Sequence, residues 1–270
     1  MKYYLCGAFW NKECKDFFDD FIEKVQKSKM SYGSEETSIE PNVTSLDQVF
    51  VPGHFNVDFN EIKKSWNPSN MRRVLKQVLD LDINNIEEGL VMYAKIPDLG
   101  SLFELGYYLA KNTSPDSVYM SYNNIKKGLI IEGGYDDLYK SINYAIRFKL
   151  INRYNPELSS PAPLIIGDRG CVSLCFEDGF NVAVIRTDNI EEDPFSSVMA
   201  GYMYYLGIPF ITYSAKDTRS NTMMLGASMG HMRLKSNKLD KIKRSAIDHL
   251  NNIDKNFWSD ENINFSKGID

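Results

Sequence analysis

Side chains that bind metals are scarce in this chain: its 270 residues hold three histidines (His54, His231, His249) and four cysteines (Cys6, Cys14, Cys171, Cys175). Their spacing matches no zinc module, which excludes the common ones and leaves nothing that suggests a metal or organic cofactor. Four scattered cysteines also make no disulfide framework, so reduced, buried thiols in a cytoplasmic protein are expected. Long apolar runs are missing too. No segment approaches the roughly 18 residues of a membrane span, and the N-terminal stretch Tyr3–Trp10 is aromatic and carries no cleavage signal. Three glycosylation sequons, at Asn42, Asn112 and Asn264, therefore carry no weight. Positive charge is in deficit: the net charge is −5, a poor match to a nucleic-acid polymer.

What remains is the composition of a soluble globular protein, 43% hydrophobic and 25% charged, long enough for one large domain or two ordinary ones. The chain opens as strand then helix: residues 3–9, followed by residues 13–27 with Phe17, Phe18, Phe21, Ile22 and Val25 at helical spacing. A polar stretch from Ser28 to Asp47 reads as a loop before the short apolar fragment 49–52. Trp66 to Asp82, with Pro68 near its start and Val74, Leu75, Val78 and Leu79 on one face, predicts a helix that feeds a strand at 89–94. Further short strands are expected at 117–120 and 128–131, then a helix through Tyr139, Ile142, Ala145 and Ile146. Pro156, Pro161 and Pro163 mark a boundary. After it come a strand at 180–185, a helix from Asp193, a strand at 210–213 and an amphipathic helix from Lys238 to Ile253. The order predicts an α/β fold, a flavodoxin- or Rossmann-like parallel sheet flanked by helices.

One segment concentrates the chemistry. Asp98-Leu99-Gly100-Ser101-Leu102-Phe103-Glu104 follows the strand at 89–94 and reads as a turn into a helix, which sets two carboxylates beside the carboxyl end of a strand, where open α/β sheets bind ligands. Spacing alone leaves a second reading open. Ser101-x-x-Glu104 is also a capping box, in which Glu104 would reach back to the Ser101 amide.

Shifted by 95 positions, Asp98, Ser101, Gly106 and Tyr107 fall on Asp193, Ser196, Gly201 and Tyr202, while Glu104 falls on Met199. The shared strand-turn-helix-strand order predicts an internal duplication, residues 1–152 and 163–270, whose second copy is degenerate and has lost its carboxylate.

Taken together, the N-terminal strand ending in Gly7-Ala8-Phe9-Trp10, the Val51-Pro52 turn, Asp80 near a helix end and Asp98-x-Gly100-x-x-x-Glu104-x-Gly106 resemble the nucleoside 2-deoxyribosyltransferase family and its nucleotide N-glycosidase relatives. The similarity spans most of residues 1–150. It implies that Glu104 is the nucleophile at the anomeric carbon, that Asp80 and Asp98 organise base and sugar, and that Trp10, Asn56, Gly100 and Ser101 line the substrate site. The family closes its site with an Asn-x-Met segment from a neighbouring subunit. Asn221-Thr222-Met223 resembles it and implies a pseudo-dimer within one chain, the second half completing the pocket of the first. Without the duplication, Asn221 reads as a loop residue and Met223 as the core-facing start of a helix or strand.

Chemistry follows from the resemblance. A carboxylate can trap the oxocarbenium-like sugar as an ester, provided that a second carboxyl group protonates the leaving base. Asp80 and Asp98 are the sequence candidates for that donor. Transfer of the sugar to another nucleobase is the first expectation. Hydrolysis of (deoxy)nucleoside 5′-monophosphates, with Ser101 and Arg219 on the phosphate, and a non-catalytic nucleoside- or nucleotide-binding module are the alternatives. The expected partners are a nucleoside or nucleotide and a free base, with no membrane, and further association into a homo-oligomer stays open.

Overall fold

The computed structural model describes residues 2–32, 49–52, 68–96, 98–112, 128–134, 136–154, 171–175, 181–187, 194–214, 222–234 and 238–251. The first half builds a sheet of β1 (Tyr3–Cys6), β2 (Val49–Phe50), β3 (Gly89–Tyr93) and β4 (Leu129–Glu132), in the order β2-β1-β3-β4, with every pairing parallel. Side chains alternate across it, as the two-residue period requires. Leu5, Val49, Val91 and Tyr93 pack outward on Cys14 and Phe18 of α1 (Lys12–Tyr32). Tyr4, Cys6, Leu90 and Met92 face inward, into a core shared with α2 (Pro68–Asn85) and α3 (Leu99–Asn112). Asn11 starts α1 by accepting the Glu13 and Cys14 amide protons on Oδ1, at 2.8 and 3.3 Å. Cys6 and Cys14 are free thiols.

The helix α4 (Asp136–Tyr154) leads out of the first half, and the boundary expected near 153–163 lies, from residue 155 on, outside the described residues. The strand expected at 117–120 lies outside the described residues. Beyond the boundary, β5 (Cys171–Cys175), β6 (Asn181–Arg186), β7 (Phe210–Ser214) and β8 (His231–Arg233) form a second sheet in sequence order. Here β6, β7 and β8 run parallel, but β5 pairs antiparallel with β6 across a five-residue connection. So short a link permits a hairpin and not a crossover, and the sequence reading had no strand at 171–175. The helix α5 (Phe195–Tyr205) covers the inner face of this sheet and α7 (Leu239–Asn251) the outer, with α6 (Thr222–Ala227) between β7 and β8. Gly207, at φ 71°, ends α5: its amide bonds the Tyr204 carbonyl at 3.1 Å, and the Ile208 amide bonds that of Met203 at 2.9 Å. That is a Schellman stop, which favours glycine at the left-handed position.

The halves meet through helices. α3 crosses α5 so closely that a Cβ on Gly106 would overlap the Val198 carbonyl, and a Cβ on Gly201 would overlap that of Phe103. The two contacts are reciprocal, with the same offset of 95 between partners, as in an isologous interface. Gly226 of α6 sits against the Leu75 carbonyl of α2, 2.7 Å from where its Cβ would be. One core therefore runs through both halves, from Tyr4 and Leu79 to Phe195, Met203 and Met224. Among the described residues no helix is long and apolar enough to cross a membrane.

A buried histidine makes this fold sensitive to acid. His249 of α7 is 8% exposed, its ring lies against Gly230, and Nε2 has no hydrogen-bond partner among the described residues. Burial lowers its pKa below the usual 6.5, so the folded state needs the neutral ring. The stability that depends on it is present above the unfolded pKa and is lost as pH falls through the folded one. His249→Gln removes this acid-induced loss, read as the melting temperature between pH 7 and pH 5. An unchanged slope would place the acid sensitivity elsewhere.

Candidate active site

β1 and β3 are neighbours in the middle of the first sheet, and the chain leaves them in opposite directions, β1 toward β2 and β3 toward β4. Their carboxyl ends bound the crevice that such a reversal opens, the usual ligand position in this topology. The loop after β1 carries Trp10, 71% exposed. The segment after β3 carries Asp98, Gly100 and Ser101.

Asp98 is the cap of α3. Its Oδ2 accepts the Ser101 amide and the Ser101 hydroxyl, both at 2.9 Å, while its carbonyl takes the Leu102 amide at 3.0 Å. The capping box suggested by Ser101-x-x-Glu104 is thus displaced: the Ser101 amide is engaged by Asp98, and Glu104 is free to point elsewhere. Burial raises the Asp98 pKa, and the Ser101 groups pull it back.

Glu104 faces the sheet. It is 6% exposed, and its Oε1 accepts the Tyr4 hydroxyl at 2.8 Å. Cys6, the next inward residue of β1, donates its thiol to the Ser101 carbonyl at 3.1 Å. The second carboxylate of the cluster is Asp82 of α2, 5% exposed, with Oδ1 unpartnered among the described residues. Burial pushes Asp82 up to about 7. Burial, and then the charge of Asp82, push Glu104 well above the ordinary carboxylate range. Burial of both groups, and for Glu104 the like charge of Asp82, favour the protonated forms. Tyr4 and Cys6 are raised as well, first by burial and then by Glu104, so both stay protonated donors.

Asp80, one of the two sequence candidates for the proton donor beside Asp98, does not face the core with Glu104. Its carboxylate is 45% exposed and pairs with Lys76 at 2.7 Å, one turn back on the outer face of α2. Asp82, not Asp80, faces the core, because it shares the inward stripe of Leu75, Leu79 and Ile86. That signal was present in the sequence: one acidic residue interrupts an otherwise apolar face. Met223 is 4% exposed at the start of α6 and belongs to the shared core, so it packs as the core-facing alternative required. Asn56 and Asn221 lie outside the described residues. Among those described, no three His, Cys, Asp or Glu side chains gather so as to hold a metal ion.

The buried pair sets a second pH limb, opposite in sign to that of His249. Its folded pKa values lie above the unfolded ones near 4, so its stabilising contribution is complete below about pH 4 and is lost as pH rises through about 7. Asp82→Asn should raise the melting temperature at pH 8 by several degrees and flatten the decline between pH 5 and pH 8. A variant as steep as the wild type would show that the pair does not share its proton.

Comparison with protein-family models, curated proteins and solved structures gives no match.

Proposed function

We propose that the chain cleaves the N-glycosidic bond of a (2′-deoxy)ribonucleoside through a glycosyl ester on Glu104 and passes the sugar to a second nucleobase. The observation that carries this reading is a pair of buried carboxyl groups, Asp82 and Glu104, on the inner face of the first sheet, with Glu104 held by the Tyr4 hydroxyl. Ester formation needs one ionised and one protonated carboxyl group, and such a pair supplies both at neutral pH. A Glu104 oxygen bonds the anomeric carbon as the carbon–nitrogen bond breaks. The bonding pair leaves with the base, and the proton of the pair, which must move from Glu104 to Asp82 before Glu104 attacks, passes from Asp82 to the base ring, directly or through a water. The incoming base reverses the sequence, its nitrogen displacing the carboxylate and its proton returning to Asp82. Water in place of the base would yield free sugar.

Tyr4 steadies the reacting carboxylate. Its hydroxyl holds Oε1 and leaves Oε2 for the sugar. Trp10 offers a flat apolar surface at the same edge, suited to a base ring. Asp98, fixed by Ser101, sits at the crevice where sugar hydroxyls would reach it.

The reciprocal crossing of Gly106 and Gly201 supports an internal duplication, with β5 the place where the second copy has diverged. Met199 stands where Glu104 would recur and is 1% exposed in the shared core, so one site per chain follows.

The test is chromatography of each deoxynucleoside and each deoxynucleoside monophosphate, with and without a second free base, alongside intact-mass detection of a sugar ester. Base exchange with one ester per chain supports transfer. Base release without an acceptor makes the chain a hydrolase. Binding without turnover of any of these substrates rejects the catalytic reading in favour of a binding module.

A further inference from the structure

A cleft of about 510 Å³ opens where the halves meet, lined by Arg73 and Lys76 of α2, Tyr204 of α5 and the segment Gly226–Met229 that ends α6. Small-molecule sites span roughly 300–1,000 Å³, so the volume suits a compact ligand. The cleft is separate from the carboxylate pair. Lys76 and Asp82 are six residues apart on α2, which sets them roughly 9 Å apart along the axis and on different faces of the helix.

Its charge is one-sided. Arg73 is exposed; among the described residues it makes no ion pair, and no acidic side chain among them lines the cleft. Lys76 lies one turn further along. Its ammonium is held by Asp80 at 2.7 Å and by the Tyr204 hydroxyl, and it stands 5.1 Å from the centre of the Tyr204 ring. Asp80 and the tyrosine therefore fix a cation that would otherwise swing free, and the Arg73 charge is left over. The Tyr204 ring, Ala227 and Met229 supply the apolar part of the lining. A fixed ammonium and a guanidinium fork facing an aromatic and aliphatic surface suit an anion that carries a flat or apolar group.

We propose that this cleft binds a phosphate monoester, with the phosphate on Arg73 and Lys76 and the organic part against Tyr204 and Met229. Because both halves supply the lining, the ligand joins α2 to α5 and α6, and its binding raises the stability of the whole chain.

The test uses phenyl phosphate, which has no N-glycosidic bond, and inorganic phosphate, each at ionic strength matched with sodium chloride. Calorimetry and melting temperature are read on the full chain and on Arg73→Gln, Lys76→Gln and Glu104→Gln. Phenyl phosphate should bind more tightly than inorganic phosphate, and either cation variant should weaken it by about tenfold or more, the scale of one charge-assisted hydrogen bond. Glu104→Gln should leave it unchanged, so the outcome is independent of the glycosidic reading. The proposal is overturned if millimolar phenyl phosphate neither binds nor shifts the melting temperature. It is overturned equally if Arg73→Gln binds as the wild type does, or if Glu104→Gln abolishes binding and so moves the ligand to the carboxylate site. Arg73 is exposed, and the unliganded melting temperature of each variant separates lost binding from lost fold.

Discussion

Glu104→Gln should lower base exchange by roughly three orders of magnitude or more, the scale on which removal of a covalent nucleophile acts, while the protein becomes more stable at pH 8. The two effects have one origin. Burial and the charge of Asp82 make an ionised Glu104 costly in the folded state, and the uncharged amide relieves that repulsion. A variant that loses activity because it unfolds would move both readouts downward. Asp82→Asn should cost about 10²- to 10⁴-fold, the range for general acid–base groups, and should remove a limb from the pH–rate profile. Asp80→Asn should change the rate less than about twofold and the stability by under about 1 kcal/mol, because an exposed i,i+4 pair with Lys76 contributes little. A large effect at Asp80 with none at Asp82 would return the proton to one of the two residues suggested by sequence and would displace the buried pair from the mechanism.

That contrast marks how far the sequence was legible. The strand-turn-helix around Asp98 and Glu104 is written in local signals, an apolar run, a turn and a glycine-rich helix start, and the structure places those elements at 89–93 and 99–112. The roles inside it were not local. Asp98 or Ser101 could each have capped α3, and the choice followed from which side chain met the Ser101 amide once Tyr4 drew Glu104 toward the sheet. Tyr4 is 100 positions away, and no periodicity links the two. Asp80 and Asp82 differ by two residues and so by slightly more than a half-turn of helix, enough to exchange solvent for core. The helical stripe separates them, but motif spacing does not. In the second half, Met223 reads as the end of a binding segment or, without the duplication, as core, and Met224 beside it as core. The close approach of α6 to α2 at Gly226, a tertiary fact, assigns them to the core.

Gly106→Ala and Gly201→Ala should be the most damaging single-atom additions in the first and second halves. Alanine is the better helix former by about 1 kcal/mol, so in isolation each helix would gain. In the crossing the new Cβ meets a backbone carbonyl, Val198 in one case and Phe103 in the other, and no rotamer change can move a carbonyl aside. α3 and α5 must separate, loosening Phe103, Val198 and Tyr202, all fully buried, at a cost of about 3 kcal/mol or more. Glu104 lies two residues from Gly106 on the moving helix, so catalysis should fall with stability. Because the contacts are reciprocal, the first substitution opens the space that the second requires. The double variant should therefore be less destabilised than the sum of the singles by about 1 kcal/mol or more, read from urea unfolding in a double-mutant cycle. Strict additivity would mean that the two glycines sit at independent contacts, and the pseudo-symmetric crossing, with the duplication it supports, would be lost. Gly207→Ala is the control: nothing lies within 4 Å of its Cβ position, and only the positive φ opposes it, at about 1–2 kcal/mol.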